Sequence, residues 1–280
     1  MGSSLARAPI SYEPRGEWFD GEIRRFVRLD NADPPALGGI LFVGSSIFRE
    51  WREARDFDAD FAPLPVLNRA FGGSQTDDLL DDAVLEAVVF PHRPRVIVYY
   101  CGSNDLNWGV PPERIRDNFA CFHRAVRARL GSARDPVRIL FVSINRAPQK
   151  RPVWRQLDAA NALVAAHCAA TPNLAFVDVN PRLFESGDAS GEDFRARLFR
   201  DDGLHFRPEA YDEFLPDVRE AVEKAWNEAR GEEADGATGG GGGGGGGAGG
   251  GGTSTSRPAC DREGRGVLVA HVKISARRTF

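Results

Sequence analysis

His205 and Asp202 are the side chains in this sequence that are best spaced for acid–base chemistry. Asp202 lies three residues before the histidine, and Pro208 then favours the start of a helix. In a tight turn the carboxylate can accept a hydrogen bond from Nδ1–H and leave Nε2 free to act as a base. The alternative is that Asp202 caps the helix and His205 is a half-buried structural residue. The other four histidines lack a carboxylate three or four residues before them: His92, His123, His167 and His271.

Two serines stand where an apolar run ends, in the stretch ILFVGSSIFREW (residues 40–51). A serine at the junction of a strand and a helix lies at the positive end of the helix dipole, which favours a nucleophilic hydroxyl. From the residues alone, either Ser45 or Ser46 can be this nucleophile. A plain helix N-cap is the alternative for both.

Two further segments carry hydrogen-bond donors suited to a developing oxyanion. Gly72-Gly73 lets the backbone approach a ligand closely and direct an N–H outward, and Asn104 can donate its side-chain amide. A turn glycine and an asparagine in a strand-terminal turn are the structural alternatives. Each signal is weak alone, and its weight depends on whether the fold brings these segments together.

The chain between residues 10 and 230 alternates between apolar runs and segments with helical periodicity. The runs are continuous, which favours parallel strands covered on both faces. About five strands are predicted, at 39–44, 65–70, 95–102, 138–144 and 174–179. Amphipathic helices are predicted around 19–27, 115–130, 157–168 and 211–226, with Pro216 expected to kink or split the last one. The order predicts a three-layer, doubly wound α/β sheet that binds ligands beyond the carboxyl ends of its strands.

Four short segments together resemble the SGNH hydrolase superfamily, also called GDSL-type esterases or lipases, which is named for a Ser, a Gly, an Asn and a His in four blocks. The blocks follow the family's order: Gly44-Ser45-Ser46-Ile47, Gly73 with Ser74 and Thr76, Gly102 to Asp105, and Asp202 to His205. The resemblance spans about residues 38–226. It departs from the family at Ser45, which replaces the aspartate of Gly-Asp-Ser-Leu and can still cap the helix.

The resemblance implies a flavodoxin-like SGNH hydrolase fold and a serine esterase that hydrolyses carboxylic esters, with an acyl- or acetyl-ester substrate. It assigns Ser46, Asp202 and His205 to a catalytic triad. It assigns the oxyanion hole to the backbone N–H groups of Ser46 and Gly73 and to the side-chain amide of Asn104. No metal or cofactor is implied, and the expected partner is a small-molecule ester.

Other function classes stay open beside this one. The α/β-hydrolase elbow is set aside, because Phe48 stands where Gly-x-Ser-x-Gly requires a glycine. One alternative is an SGNH-fold binding module without activity. Another is a phosphate- or nucleotide-binding α/β protein that uses FGGSQT (71–76) at a helix N-terminus. That stretch lacks the lysine of a P-loop, and four aspartates follow it: Asp77, Asp78, Asp81 and Asp82.

The composition narrows the partners and the location. The 36 Lys and Arg and 40 Asp and Glu residues give a net charge of -4, which offers no electrostatic footprint for nucleic acid. No segment approaches the ~20 apolar residues of a membrane span, and the start, MGSSLARAPISYEP, lacks the apolar core of a signal peptide. A cytoplasmic location is the default expectation, and the oligomeric state stays open. The cysteines have no CxxC spacing, so neither a zinc site nor a disulfide is expected.

Three regions are predicted along the chain. Residues 1–9 form a flexible N-terminus, and residues 10–230 form the SGNH hydrolase-like domain. Residues 231–280 form a glycine-rich tether and a disordered tail, with binding of the tail to a partner as the alternative. The almost pure glycine run that ends at Gly252 cannot offset its ordering entropy, which is the reason for placing the boundary there.

Overall fold

A five-stranded sheet lies at the centre of the molecule. The computed structural model of the protein describes residues 7–131, 136–186 and 193–231. The predicted tether and most of the predicted flexible N-terminus lie outside the described residues. Each predicted strand is present: β1 Ile40–Gly44, β2 Val66–Asn68, β3 Val96–Tyr100, β4 Arg138–Val142 and β5 Leu174–Val177. The predicted fold class, a doubly wound α/β sheet, is thereby confirmed.

The strand order is β2-β1-β3-β4-β5, and every neighbouring pair is parallel. This is the flavodoxin-like order, in which successive strands are added on one side of β1 and then on the other, so that the strand order reverses between β1 and β3. Gly44, the last residue of β1, is in register with Tyr100, the last residue of β3. The loops that leave these two strands therefore start side by side, at the point where such sheets open a crevice for a ligand.

Helices cover the sheet and follow its strands: α1 Asp20–Ala32, α2 Ser46–Ala54, α3 Phe57–Phe61, α4 Asp82–Val84, α5 Ser103–Asn107, α6 Pro112–Leu130, α7 Trp154–Ala169 and α8 Pro208–Ala229. The four amphipathic stretches predicted from the sequence correspond to α1, α6, α7 and α8. Of the two effects predicted for Pro216, a kink or a split of the last helix, the split is wrong, because α8 continues through the proline. Burial of Tyr211, Phe214, Val218 and Val222 offsets the roughly 3 kcal/mol that an internal proline costs.

An aromatic cluster fixes α2 and the start of α8 relative to each other. The Trp51 ring of α2 lies 5.0 Å from the Tyr211 ring and 5.4 Å from the Phe214 ring of α8. All three side chains are buried. The Tyr211 hydroxyl also donates to the carbonyl oxygen of Ile47, at 2.9 Å. These contacts hold the helix that begins at Ser46 against the helix that follows His205.

The cysteines depart in part from expectation. Cys101 and Cys168 are free and buried, whereas Cys121 is disulfide-bonded, and Cys260 lies outside the described residues. The prediction of no disulfide is therefore wrong at Cys121, because missing CxxC spacing excludes only a local motif. Within the described ranges, no helix combines the length and apolar character of a membrane span.

Candidate active site

His205 lies between Asp202 and Ser46. Its Nδ1 is 2.7 Å from Asp202 Oδ2, and its Nε2 is 3.0 Å from Ser46 Oγ. Ser46 and His205 are 159 residues apart in the sequence, so only the fold brings them together. The arrangement gives a hydroxyl, a base that can take its proton, and a carboxylate that orients the base.

Asp202 organises the turn as well as the ring. Its Oδ1 accepts the backbone N–H groups of Leu204 and His205 at 2.8 and 2.9 Å, while Oδ2 faces Nδ1. The alternative that Asp202 caps the helix is wrong, because the N-cap of α8 is Arg207 and Asp202 binds N–H groups of the turn before it. Burial opposes the charged form of Asp202, but the hydrogen bonds from the His205 side chain and the two N–H groups outweigh it and lower the pKa of this carboxyl.

Gly44 sets the position of Ser46. Its φ is +140°, and a Cβ there would lie 1.9 Å from the Tyr100 carbonyl oxygen, so only glycine lets β1 leave the sheet in this way. That same carbonyl accepts the N–H of Ser45 at 3.0 Å. Ser46 is then the first residue of α2, where an N–H has no acceptor within its own helix.

The Ser45 side chain makes no capping hydrogen bond, which corrects the prediction that it caps α2. A capping hydroxyl would accept the N–H of Phe48, the third residue of the helix. That N–H instead donates to the backbone carbonyl of Ser45, at 3.1 Å. Ser45 is 1% exposed and is the single buried residue that links β1 to α2.

The two segments predicted to supply oxyanion donors are joined by one hydrogen bond. Asn104 Nδ2 donates to the carbonyl oxygen of Ser74 at 3.0 Å, and a side-chain amide has a second hydrogen besides the one used there. The segment before Gly73 is tied to β1, since Phe71 N–H donates to Gly44 O at 3.0 Å. Gly73 itself is exposed, with φ +65°. The segments that carry the three predicted donors are thus joined by two hydrogen bonds, one from the Asn104 side chain and one between backbone groups.

Asp105 provides a second link between these segments. The Thr76 N–H donates to its carboxylate at 3.1 Å, the Thr76 hydroxyl also donates to it, and Asn118 Nδ2 donates to that hydroxyl at 2.7 Å. Burial raises the pKa of Asp105 to about 6. Asp105 belongs to the Gly102–Asp105 block of the family resemblance, which implies no role for it.

Carboxylates of the chain itself occupy backbone N–H groups along FGGSQT. Gly72 N–H donates to Glu22 Oε2 at 3.3 Å, and Gln75 N–H donates to Asp78 Oδ2 at 2.9 Å. Thr76 N–H is taken by the Asp105 carboxylate. A bound phosphate would have to displace these negative groups, which disfavours the nucleotide-binding alternative.

Sequence reasoning missed two buried charged groups at this site. Glu50 is 4% exposed, and its Oε1 lies 3.5 Å from His205 Nε2. Lys150 is 1% exposed, and its Nζ donates to the Ser103 carbonyl oxygen at 3.1 Å, while burial lowers its pKa to about 8. The i,i+4 spacing from Ser46 could have indicated Glu50. No local pattern indicates Lys150, because its partner is 47 residues away.

Asp201, for which the sequence predicts no role, pairs with an arginine and not with His205. Its Oδ1 pairs with Arg207 Nη2 at 2.9 Å, and the side chain is fully exposed. Asp202 is therefore the carboxylate of the pair that faces the imidazole.

The sequence model of the GDSL-like Lipase/Acylhydrolase family matches residues 42–213, more than half of the chain. The chain belongs to this family. The GDSL-like match contains Ser46, Gly73, Asn104, Asp202 and His205, and family membership makes the chain a hydrolase that acts on ester bonds. It also favours an enzyme over a binding module without activity. No significant match was found among the curated proteins.

Solved structures share the GDSL-like fold at low sequence identity. A protein assigned as an acylhydrolase from Bacteroides fragilis has a TM-score of 0.61 and 18% identity, covering 75% of this chain and 99% of its own. A GDSL-like lipase from Bacteroides thetaiotaomicron has a TM-score of 0.60 and 19% identity, covering 72% and 98%. A carbohydrate esterase family 3 protein from Talaromyces cellulolyticus has a TM-score of 0.51 and 16% identity, covering 69% and 99%. At these identities the likeness shows the fold.

Proposed function

We propose that this GDSL-like hydrolase is a serine esterase with Ser46 as nucleophile, His205 as general base and Asp202 as the orienting carboxylate. The observation that supports this most strongly is the position of the imidazole, with Nδ1 2.7 Å from Asp202 and Nε2 3.0 Å from the Ser46 hydroxyl. Both distances are within hydrogen-bond reach, as nucleophilic catalysis by serine requires.

The reaction is acyl transfer to water in two steps. Ser46 Oγ attacks the ester carbonyl, and its proton passes to His205 Nε2, which then gives that proton to the leaving alcohol. A water molecule repeats the sequence on the acyl-enzyme, with His205 again as the base. Asp202 keeps the proton on Nδ1 and stabilises the imidazolium without itself becoming protonated.

The negative charge of the tetrahedral intermediate is received by three donors: the N–H groups of Ser46 and Gly73 and the amide of Asn104. The hydrogen bond from Asn104 to Ser74 supports this assignment, because it fixes the amide beside the Gly73 segment. Donors held in place before the reaction stabilise an oxyanion without reorganisation, and each is worth about 10²- to 10³-fold in kcat.

Short acyl esters are the proposed substrates. Gly73 is exposed and Ser46 and His205 are only half-buried, so the reacting groups lie near the surface. A long acyl chain gains about 0.8 kcal/mol for each buried CH₂, and a shallow site has little apolar surface on which to realise that gain. Acetyl and other short acyl groups, which bind through the carbonyl, fit such a site best.

The test combines a substrate series with an active-site label. Hydrolysis of p-nitrophenyl esters from acetate to palmitate should be fastest at the short end and should fall about 10⁶-fold in Ser46→Ala. Ser45→Ala is the matched control at the adjacent hydroxyl and should keep most of the activity. A fluorophosphonate probe should label the wild type and Ser45→Ala but not Ser46→Ala. Loss of turnover in Ser45→Ala with activity retained in Ser46→Ala would overturn the assignment of the nucleophile.

A further inference from the structure

A second carboxylate lies beside the base. Glu50 Oε1 is 3.5 Å from His205 Nε2, the same nitrogen that lies 3.0 Å from Ser46 Oγ. Glu50 follows Ser46 by four residues on α2, which puts both side chains on one face of the helix. Asp202 lies at the other ring nitrogen. The imidazole is therefore flanked by two carboxylates.

Two arginines make the burial of this carboxylate tolerable. Removing an unpaired carboxylate from water costs several kcal/mol, and Glu50 is 4% exposed. Arg49 Nη2 lies 3.0 Å from Oε1, and Arg200 Nη1 lies 3.0 Å from Oε2. Arg200 is itself part of the His205 turn, because its Nε donates to the Phe206 carbonyl oxygen at 3.0 Å.

The two arginines balance the charge of Glu50, and they remain when Glu50 is replaced. Among the residues the structure describes, Oε2 accepts no hydrogen bond, although Arg200 is at ion-pair distance. Arg49 is also shared, since its Nε lies 3.8 Å from Glu53 Oε1. The Tyr211 hydroxyl is a further ionisable group here, and its pKa is raised by burial and also by the charge of Glu50. Replacing Glu50 by a neutral residue therefore removes one negative charge beside the imidazole and leaves both guanidinium groups in place.

We propose that Glu50 is a positioning residue for the hydrolysis, an inference that rests on the proposed triad. Its carboxylate lies beside Nε2 and stabilises the imidazolium that forms when Nε2 takes the Ser46 proton. Glu50 neither gains nor loses a proton: the proton moves from Ser46 Oγ to Nε2 and from there to the leaving alcohol. The Ser46 hydroxyl, being nearer, keeps the hydrogen bond to Nε2 in the resting enzyme.

The sign of the effect follows from the charge. A carboxylate 3.5 Å from Nε2 attracts the positive charge that the ring gains when it takes the Ser46 proton. Replacing the carboxylate by a neutral amide should remove this attraction, so the variant should reach its full activity at a lower pH but at a lower rate. A residue that only packs against the ring would lower the rate equally at every pH.

The experiment measures kcat/KM for p-nitrophenyl acetate from pH 5 to 9 with the full chain. The acid limb is the part of this pH profile in which kcat/KM rises with pH, and the plateau is the constant value above it. In Glu50→Gln, the acid limb should move to lower pH by about 0.5 to 1 unit, and the plateau should fall about 3- to 30-fold. Glu53→Gln is the matched control, because it removes the same charge from a side chain on the same helix that is 52% exposed. Its acid limb should coincide with that of the wild type.

Glu50→Asp keeps the charge but moves it away from Nε2, so its acid limb should lie between those of the wild type and Glu50→Gln. If Glu50→Gln does not fold, as judged by circular dichroism, the shift of Glu50→Asp against the wild type carries the test. An acid limb in the wild-type position in the folded variants, whatever the plateau rate, would overturn the inference. Ser46→Ala keeps the two proposals distinguishable: activity retained there refutes the triad, whereas activity lost there with an unmoved limb in Glu50→Gln refutes only the role of Glu50.

Discussion

Lys150 Nζ lies 3.1 Å from the carbonyl oxygen of Ser103, the residue before Asn104. The neighbouring Gln149 N–H donates to the carbonyl oxygen of Gly203, at 2.9 Å. One short segment therefore holds both the Asn104 turn and the His205 turn. It lies outside the four blocks of the family resemblance, yet it fixes the distance between two of them.

The buried charge of Lys150 should make stability depend on alkaline pH. Its pKa is lowered by burial to about 8, so between pH 8 and its ordinary value of 10.5 the unfolded chain binds a proton that the folded chain lacks. Stability contributed by this group therefore rises with pH across that window. In urea unfolding, the free-energy difference between Lys150→Met and the wild type should change by about 2 to 3 kcal/mol from pH 7 to 10. The exposed Lys224, as Lys224→Met, should show no such change, and parallel curves for Lys150→Met would contradict the prediction.

Asp105 should give the opposite slope at acid pH. Its folded pKa of about 6 exceeds the ordinary value of 3.8, so between those values the folded chain holds a proton that the unfolded chain has lost. Stability therefore falls as pH rises from 4 to 6. The free energy of unfolding of the wild type, measured in urea, should fall by about 3 kcal/mol across this window because of Asp105. Asp105→Asn should remove this fall. Asp58→Asn, at an exposed aspartate on α3, serves as the control, and the prediction fails if both variants retain the wild-type slope.

A side chain at Gly73 should strain its loop and lower kcat. Its φ is +65°, and a Cβ there would lie 2.7 Å from the Trp18 ring, which is 55% exposed. Gly73→Ala should therefore displace the loop and its N–H and lower kcat about 10²-fold in p-nitrophenyl acetate assays. Gly109→Ala is the matched control, with φ +72° and no atom within 4 Å of the new Cβ. Both changes should cost about 1 to 2 kcal/mol in thermal unfolding, but an equal loss of kcat in both would refute a specific role for Gly73.

Asn104 should act mainly on the transition state. Asn104→Ala removes one proposed oxyanion donor and should lower kcat about 10²- to 10³-fold with little change in KM. Steady-state kinetics with p-nitrophenyl acetate separate the two constants. Asn107→Ala, at an exposed position on the same short helix, should leave kcat within about twofold. A rise in KM at constant kcat would instead assign Asn104 to ground-state binding.

Asp202 should matter far more than its neighbour. Asp202→Asn preserves the shape of the side chain but favours the wrong imidazole tautomer, so kcat should fall about 10⁴-fold. Asp201→Asn removes a charge one residue away that pairs with Arg207, and it should have almost no effect on turnover. Comparable losses in the two variants would mean that charge near the turn, and not orientation of the ring, is what counts.

The fold could be predicted from the sequence because its central strands are buried on both faces. The residues of β1 and β3 are all buried, and this environment produces the continuous apolar runs from which the strands were inferred. The path of α8 through Pro216 could not be predicted, because the packing of its buried face outweighs a local preference.

The candidate site could be predicted only where its chemistry is local. Asp202 and His205 are three residues apart, and a turn brings them together. Lys150 reaches the site from another part of the chain, and the burial of Glu50 and Lys150 is a property of the folded molecule. The absent cap at Ser45 has the same origin, because a backbone carbonyl takes the N–H that its hydroxyl would bind.

The position of His205 just ahead of α8 has a consequence for assembly. The helix packs against β3, β4 and β5, and its Tyr211 anchors the turn of chain that follows Ser46. A polypeptide renatured without a docked α8 lacks the proposed base in its place and also the Tyr211 hydrogen bond next to the proposed nucleophile. Recovery of turnover after dilution from denaturant should therefore trail the return of sheet structure, which makes hydrolysis a reporter of the last helix to dock.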